Sequence, residues 1–462
     1  MRIFVWAAGT PNRPHTPTFR PVLDFLRRYF GILLGFGLLY VAGNLFEPLS
    51  YLLLLGIMAF WALQGKERHL LLMLLLILIL GDSREWTLFF VKNLRIVAIL
   101  FLGGWTVLGM ARRQYRFNPM ILGALPFFAV ATLGGLLSPE PASSLSKMVS
   151  YFLLLFVALH YLPYLFRRYR QALAQDLLIF WCCVLGAGFL GIVLAPKLVF
   201  LLSRFRGLLG NPNGLGILAT MLVPLAMLIR HRYPSLRFWP LATAGLAGLS
   251  ILFCGSRTAL GTVGIFLLLH YFYRGGRGRT ALLWSIVLPV LLIFFLTVDL
   301  QQLVLRVGLE QYLRVESLTT GTGRFLAWEI GMRHIAENLW IGRGFAYEEI
   351  LFKSLADFFI STEHQGGMHN SYLTFIMNNG LIGFACILVF FAVYLSRSQV
   401  RSFAAPAIIS LAISALFESW LTSSLNAFTV HFLMITTLLT HFREAAPKRR
   451  KPDPPPAAPD AA

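Results

Sequence analysis

Apolar segments of roughly 14 to 26 residues, separated mostly by short polar breaks, recur along nearly the whole chain. A helix that crosses a bilayer needs about 20 mainly apolar residues. Candidates fall at 29–46, 48–64, 68–81, 94–111, 119–137, 146–166, 175–195, 212–230, 237–254, 257–273, 280–298, 371–396, 402–420 and 422–441. The third is short and the last two nearly abut, so about 12–14 transmembrane helices are expected. Hydrophobic residues make up 57% of the 462 and charged residues 13%, more apolar surface than a soluble fold of this size can cover. The expected fold class is all-α, a polytopic membrane protein. No internal repeat and no inverted pair of broken helices is visible.

The net charge of +20 would suit nucleic acid, but its placement argues against such a partner. Lys and Arg cluster in "GKER", "ARRQYR", "RRYRQ", "RHRYPSLR", "YRGGRGR" and "SRSQVR", at every second break between apolar segments. With the two termini, these breaks hold about 26 of the 40 basic residues, which assigns them to the cytoplasmic side. Cys182, Cys183, Cys254 and Cys386 lie in apolar stretches without paired spacing and read as small core residues. The N-terminus lacks a signal-peptide h-region, so no cleavage is expected.

The expected organisation is a cytoplasmic segment 1–28, a helical bundle 29–298, a large outer loop 299–370, C-terminal helices 371–441 and a disordered Pro-rich cytoplasmic tail 442–462. The outer loop is far longer than ordinary connections. Within it, "GRFLAWEIGMRHIAENL" sets Phe325, Trp328 and Ile335 against Arg324, Glu329 and Arg333. This pattern predicts an amphipathic helix on the outer membrane surface.

Basic residues on the outer side are the exceptions, and arginine beside hydrocarbon tends to mark a site. Arg206 precedes "GNPNGLG", where Pro212, Asn213 and Gly214 give a turn into the eighth segment. That helix start suits an anion, and it reads equally as a cap with a snorkelling arginine. Arg257 lies in the tight "GSRT" turn, and Arg324 opens the amphipathic helix one turn before Trp328. Lipid headgroups would satisfy either one. His369 begins "HNSYLTFIMNNGLIG". Taken alone it is a cap or an interfacial residue. Glu363 and His364 stand nearby to orient it, and three arginines on the same side would keep its imidazole neutral and able to accept a proton. A lipid diphosphate fits such a place, its tail in lipid and its head on arginines. No DxD and no carboxylate pair for a divalent metal is present, the acidic residues being few and scattered, so no metal or other cofactor is expected and the arginines would neutralise the leaving group.

"HNSYLTFIMNNGLIG" follows the pattern His-Asn, nine residues, Gly, two residues, Gly. It is similar to the motif of O-antigen ligases. "RGLLGNPNGLG", "GSRTALG", and "TGRFLAW" followed by "NLWIGRGF" resemble other signatures of the wider O-antigen ligase and polymerase superfamily. The resemblance covers about residues 200–400. It implies a GT-C-like, metal-independent, inverting glycosyltransferase of the bacterial inner membrane, with both termini cytoplasmic and the site facing the periplasm. The donor would be a glycan on undecaprenyl diphosphate and the acceptor a sugar hydroxyl on lipid A–core. Carried onto this chain, His369 would be the general base. Arg206 and Arg324 would hold the diphosphate, with Arg257 a weaker candidate. Asn211, Asn213, Asn370 and Trp328 complete the expected substrate-binding set. A polymerase extending lipid-linked repeats and a protein O-glycan transferase share this motif set. A transporter of lipid-linked glycans would instead place arginines at mid-membrane depth along several helices.

Overall fold

The computed structural model describes residues 20–201, 203–287, 324–361 and 367–441. Expectations for 1–19, 288–323, 362–366 and 442–462 fall outside it. Among them are most of the eleventh apolar segment, the start of the outer loop, Glu363, His364 and the tail.

In chain order, α1 (Arg20–Leu45), α2 (Glu47–Leu63), α3 (Glu67–Leu80), α4 (Val91–Ala111), α5 (Met120–Leu136), α6 (Pro141–Leu194) and the short α7 (Pro196–Val199) lead into a hairpin. Its strands are β1 (Phe200–Leu201) and β2 (Arg204–Phe205), antiparallel with Phe200 opposite Phe205. Then come α8 (Pro212–Arg232), α9 (Phe238–Cys254), α10 (Arg257–Arg274) and α11 (Arg277–Leu282). The remaining helices are α12 (Arg324–Glu337), α13 (Tyr347–Ser354), α14 (Ala356–Ser361), α15 (Ser371–Ser396), α16 (Arg401–Phe417) and α17 (Ala427–His441). The chain is an all-α polytopic membrane protein. Among the described residues, five helical stretches are long and apolar enough to cross a membrane, and shorter apolar helices of 10–17 residues accompany them. Of these spans α8 is the most enclosed, because it is apolar on nearly every face and packs against α9, α10 and α17.

Three elements differ from the sequence expectation. The helical run of α6 covers two expected segments and their basic break; it is divided at Arg170, whose φ of 44° no α-helix accepts. α15, read as one continuous span, is also broken: Gly380 has φ 66° and ψ 179°. Leu381 N–H donates to Leu339 C=O at 2.8 Å and Ile382 N–H to Trp340 C=O at 3.2 Å, so the "LWIGRG" loop is plugged into the break. A Cβ on Gly380 would overlap the Trp340 carbonyl, which leaves glycine as the fitting residue. α16 ends at Phe417 rather than at 420, and Glu418–Asn426 runs as an irregular link to α17. The link satisfies its own backbone: Asn426 Oδ1 caps Thr429 N–H at 2.6 Å and its amide donates to Trp420 C=O at 2.9 Å.

The basic breaks gather at one end. Arg168 pairs with Glu67 at 3.0 Å, Tyr115 packs at a tilt against Tyr164 with ring centroids 4.2 Å apart, and Arg28 and Arg68 share Asp176. One cavity joins Arg230, Arg274 and Ser402. Asn211, Arg257, His369 and Glu418 therefore stand at the other ends of α8, α10, α15 and α16.

Candidate active site

His369 is fixed by its neighbours. Asn370 caps α15, its Oδ1 accepting Tyr372 N–H at 3.0 Å and Leu373 N–H at 3.1 Å. Met368 C=O accepts the indole N–H of Trp328 at 2.7 Å, and Met368 N–H donates to Glu348 Oε1 at 3.0 Å. With both flanking residues pinned, His369 itself adopts φ 45°, a left-handed conformation that costs a non-glycine residue on the order of 1–3 kcal/mol and clusters at functional sites.

The imidazole faces a carboxylate that the sequence reading did not single out. Glu418 lies just past α16, 6% exposed. Its Oε2 is 3.7 Å from His369 Nδ1, and its Oε1 accepts from Arg324 Nη2 at 3.1 Å. The link is tied to the start of α15: Ser371 Oγ donates to Glu418 C=O at 2.7 Å and Asn370 N–H to Ser419 Oγ at 3.0 Å. His369 Nε2, on the far side of the ring, is buried without a hydrogen-bond partner among the described residues. A position on Gly367 for a Cβ would lie 3.6 Å from that Nε2 and 3.7 Å from Glu348 Oε1, so a second carboxylate stands on this side. Burial raises the Glu348 carboxyl above its usual range, the Met368 N–H opposing.

Arg324 opens α12, and of the apolar face expected from the sequence (Phe325, Trp328, Ile335) only Ile335 is fully buried. Ala327, Gly331 and Ile335 are buried, whereas Phe325 is exposed. Gly331 lies so close to Met368 that a Cβ there would overlap its sulfur. α12 is thus seated against protein through Ala327, Gly331 and Ile335 at i, i+4 and i+8, with Trp328 half-buried beside it.

The other arginines form a second group. Arg206 is 5% exposed, and its Nη2 donates to Glu85 Oε1 at 2.7 Å. The turn after it is fixed by Gly210 N–H donating to Asp82 Oδ2 at 3.0 Å; burial raises the Asp82 carboxyl, and this N–H and Arg95 pull it back. Asn211 Oδ1 accepts Gly214 N–H at 2.6 Å and caps α8. Asn213 Oδ1 accepts from Arg204 Nη2 at 2.9 Å, and Arg204 Nε reaches Cys254 C=O at the same distance. Both asparagines are thus engaged within the protein. Arg257, half-buried, begins α10 two residues after that turn, next to Ser256, which caps Ala259 N–H at 3.4 Å. Gly216 is small because α8 and α10 meet there: a Cβ would sit 2.8 Å from Ser256 Cβ. Two helix N-termini and the residues Arg204, Arg206 and Arg257 consequently share one corner.

Charges connect the groups. Glu349, next to Glu348, pairs with Lys147 and lies within electrostatic range of Arg95. Arg95 faces Asp82 and donates to Leu425 C=O at 3.0 Å, on the link that begins at Glu418. Glu418, Glu348, Arg95, Lys147 and Arg204 were not selected from sequence. The available signal was scarcity: only 20 Asp and Glu occur in the chain, and "GDSREW", "YEEI" and "FESW" place some beside outer helix ends.

A model of the O-antigen ligase family matches residues 242–388. No curated protein matches the chain. The match runs from α9 through Arg257, Arg324, His369 and the Gly380 break, and over these residues the chain is similar to the O-antigen ligase family.

Proposed function

We propose that this protein transfers a glycan from undecaprenyl diphosphate to a sugar hydroxyl of lipid A–core at the periplasmic face of the bacterial inner membrane. Both termini then face the cytoplasm, and 299–370 forms the outer loop above the bundle. The observation that carries the reading is the His369–Glu418–Arg324 cluster. Glu418 orients the imidazole through Nδ1, leaving Nε2 to take the acceptor hydroxyl's proton. The 3.7 Å separation suits a base whose bonds tighten when substrate arrives. The acceptor oxygen attacks the anomeric carbon, the bond from that carbon to the phosphate oxygen breaks, and the diphosphate leaves with the electron pair. One displacement inverts the centre. Arg324 and Arg206, with Arg257 and Arg204 behind them, offer guanidinium donors to the departing charge. Asn370 and Trp328 act through the backbone on either side of His369, and Asn211 and Asn213 shape the arginine corner.

His369→Ala is expected to abolish transfer with insertion and expression intact; substantial residual transfer by the well-expressed variant would remove the base. A deletion strain separates the outcomes: bare core with lipid-linked glycan accumulating supports ligation, and core bearing a single repeat assigns polymerisation instead.

A further inference from the structure

α8 and α10 carry Asn211 and Arg257 at one end and Arg230 and Arg274 at the other, about 30 Å apart along helices rising 1.5 Å per residue. At that far end is a cavity of about 320 Å³ lined by Arg230, His231, His270, Arg274, Ser402 and Phe403 among others. No carboxylate lines it among the described residues. The Phe403 ring lies 4.3 Å from the His270 ring and 5.4 Å from that of His231, centroid to centroid, and supports both imidazoles. His270 is 8% exposed and lies against the Ser402 backbone. Ser402 belongs to the first turn of α16, which has no side-chain cap. Arginines in the last turns of α8 and α10 answer the dipoles of those helices, but that alone requires no cavity between them.

Ser402 stands at the border of this cavity. Ser402 also lines a second, mainly apolar cavity of about 890 Å³, bounded by Trp284, Leu395 and Ala405 among others. A cationic pocket adjoining an apolar groove at Ser402 matches one chemistry, an anionic head on a hydrocarbon chain. We propose that this composite site binds an anionic phospholipid of the leaflet opposite His369, its phosphate between Arg230 and Arg274 and an acyl chain in the groove beyond Ser402. The proposal is independent of the chemistry assigned to His369.

The test is thermal unfolding of the delipidated full-length protein in neutral detergent. It is titrated at constant ionic strength with phosphatidylglycerol, phosphatidylcholine or inorganic phosphate. Phosphatidylglycerol should give a saturable upward shift at least about tenfold below the concentration at which phosphatidylcholine acts. Inorganic phosphate should not reproduce it. Arg230→Gln/Arg274→Gln should raise the half-saturation for phosphatidylglycerol by about tenfold or more. Arg112→Gln/Arg237→Gln, at exposed positions, should leave it unchanged. Equal wild-type responses to the two lipids would overturn the site, as would a shift reproduced by inorganic phosphate or retained by the cavity variant. The wild-type arms decide the matter even if that variant does not fold.

Discussion

Replacing Glu418 by Gln keeps the side chain's size and an oxygen for Arg324 Nη2, now 3.1 Å away, and removes only the charge. Two unit charges at the 3.7 Å separating Glu418 Oε2 from His369 Nδ1 interact by about 4–5 kcal/mol at an effective dielectric of 20. The charge on His369 develops as the acceptor proton arrives. Roughly half of that energy, about 2–3 kcal/mol, therefore acts in the transition state, which corresponds to a kcat about 30- to 150-fold lower. Donor KM should change little, because Arg324 retains its bond. Glu418→Ala differs in kind. It also leaves Arg324, 20% exposed at the side chain, without its partner, so stability should fall by about 3 kcal/mol, the low end for a broken buried pair. The assay is initial-rate transfer from lipid-linked glycan to lipid A–core by the purified protein, with a melting curve for each variant. A Glu418→Gln enzyme with kcat within threefold of wild type would refute the assignment of Glu418 as the residue positioning His369.

Glu348→Gln keeps an acceptor for Met368 N–H and removes a carboxyl that burial holds above its ordinary value of 4.5. A raised carboxyl contributes stability below the unfolded pKa and loses it as pH rises through the folded one. The variant should therefore gain on wild type in melting temperature from pH 4.5 upward, and parallel curves would exclude the effect. Gly380→Ala, where φ is 66° and a Cβ would meet the Trp340 carbonyl, should eliminate folded protein in a detergent-extraction assay. Gly37→Ala, with open space around it, should be neutral or stabilising by about 0.5–1 kcal/mol; equal yields of the two variants would show that the break is not required. Arg206→Ala should reduce donor use more than Arg206→Lys, which retains charge without the planar fork that reaches Glu85 and Gly210. Lys and Ala variants with wild-type donor kinetics would remove Arg206 from the site.

The spans were legible because hydropathy is local and additive along the chain, and the basic loops declared a common end. His369, Arg206 and Arg324 stood out as polar exceptions to that pattern. Their partners did not. Arg324 finds Glu418 and Arg206 finds Glu85 across long separations in sequence, and no period or spacing records such a pairing. Glu418 was further hidden because the apolar stretch before it extends the apparent helix to 420, whereas the Ser, Thr and Asn side chains that follow end it at Phe417. Gly380 follows Asn378 and Asn379, an Asn-Gly turn signal that the hydropathy of the surrounding apolar run concealed. The face of α12 was misplaced in part for a related reason. Periodicity favours large apolar residues, and this helix packs through Ala327 and Gly331.

The spacing of the His-Asn motif acquires a physical meaning once the break is known. Nine residues separate Asn370 from Gly380, a helix of two and a half turns and about 14 Å. Its start carries His369, and its end receives the loop 339–344 through backbone bonds from Leu381 and Ile382. The same loop is anchored again where Gly344 N–H donates to Asn378 C=O at 2.8 Å and Glu348 N–H to Asn378 Oδ1 at 2.9 Å. α12, which brings Arg324, leads directly into that loop, and α13, which brings Glu348, leads out of it. The described segment 324–361 is thus not a flap resting on the bundle. It is locked into a broken membrane helix at the level of Gly380, and its two charged contributions are delivered to opposite sides of His369 by the same fastening. Lengthening or shortening the nine-residue helix would move the imidazole relative to both at once, so motif spacing and charge geometry constrain each other.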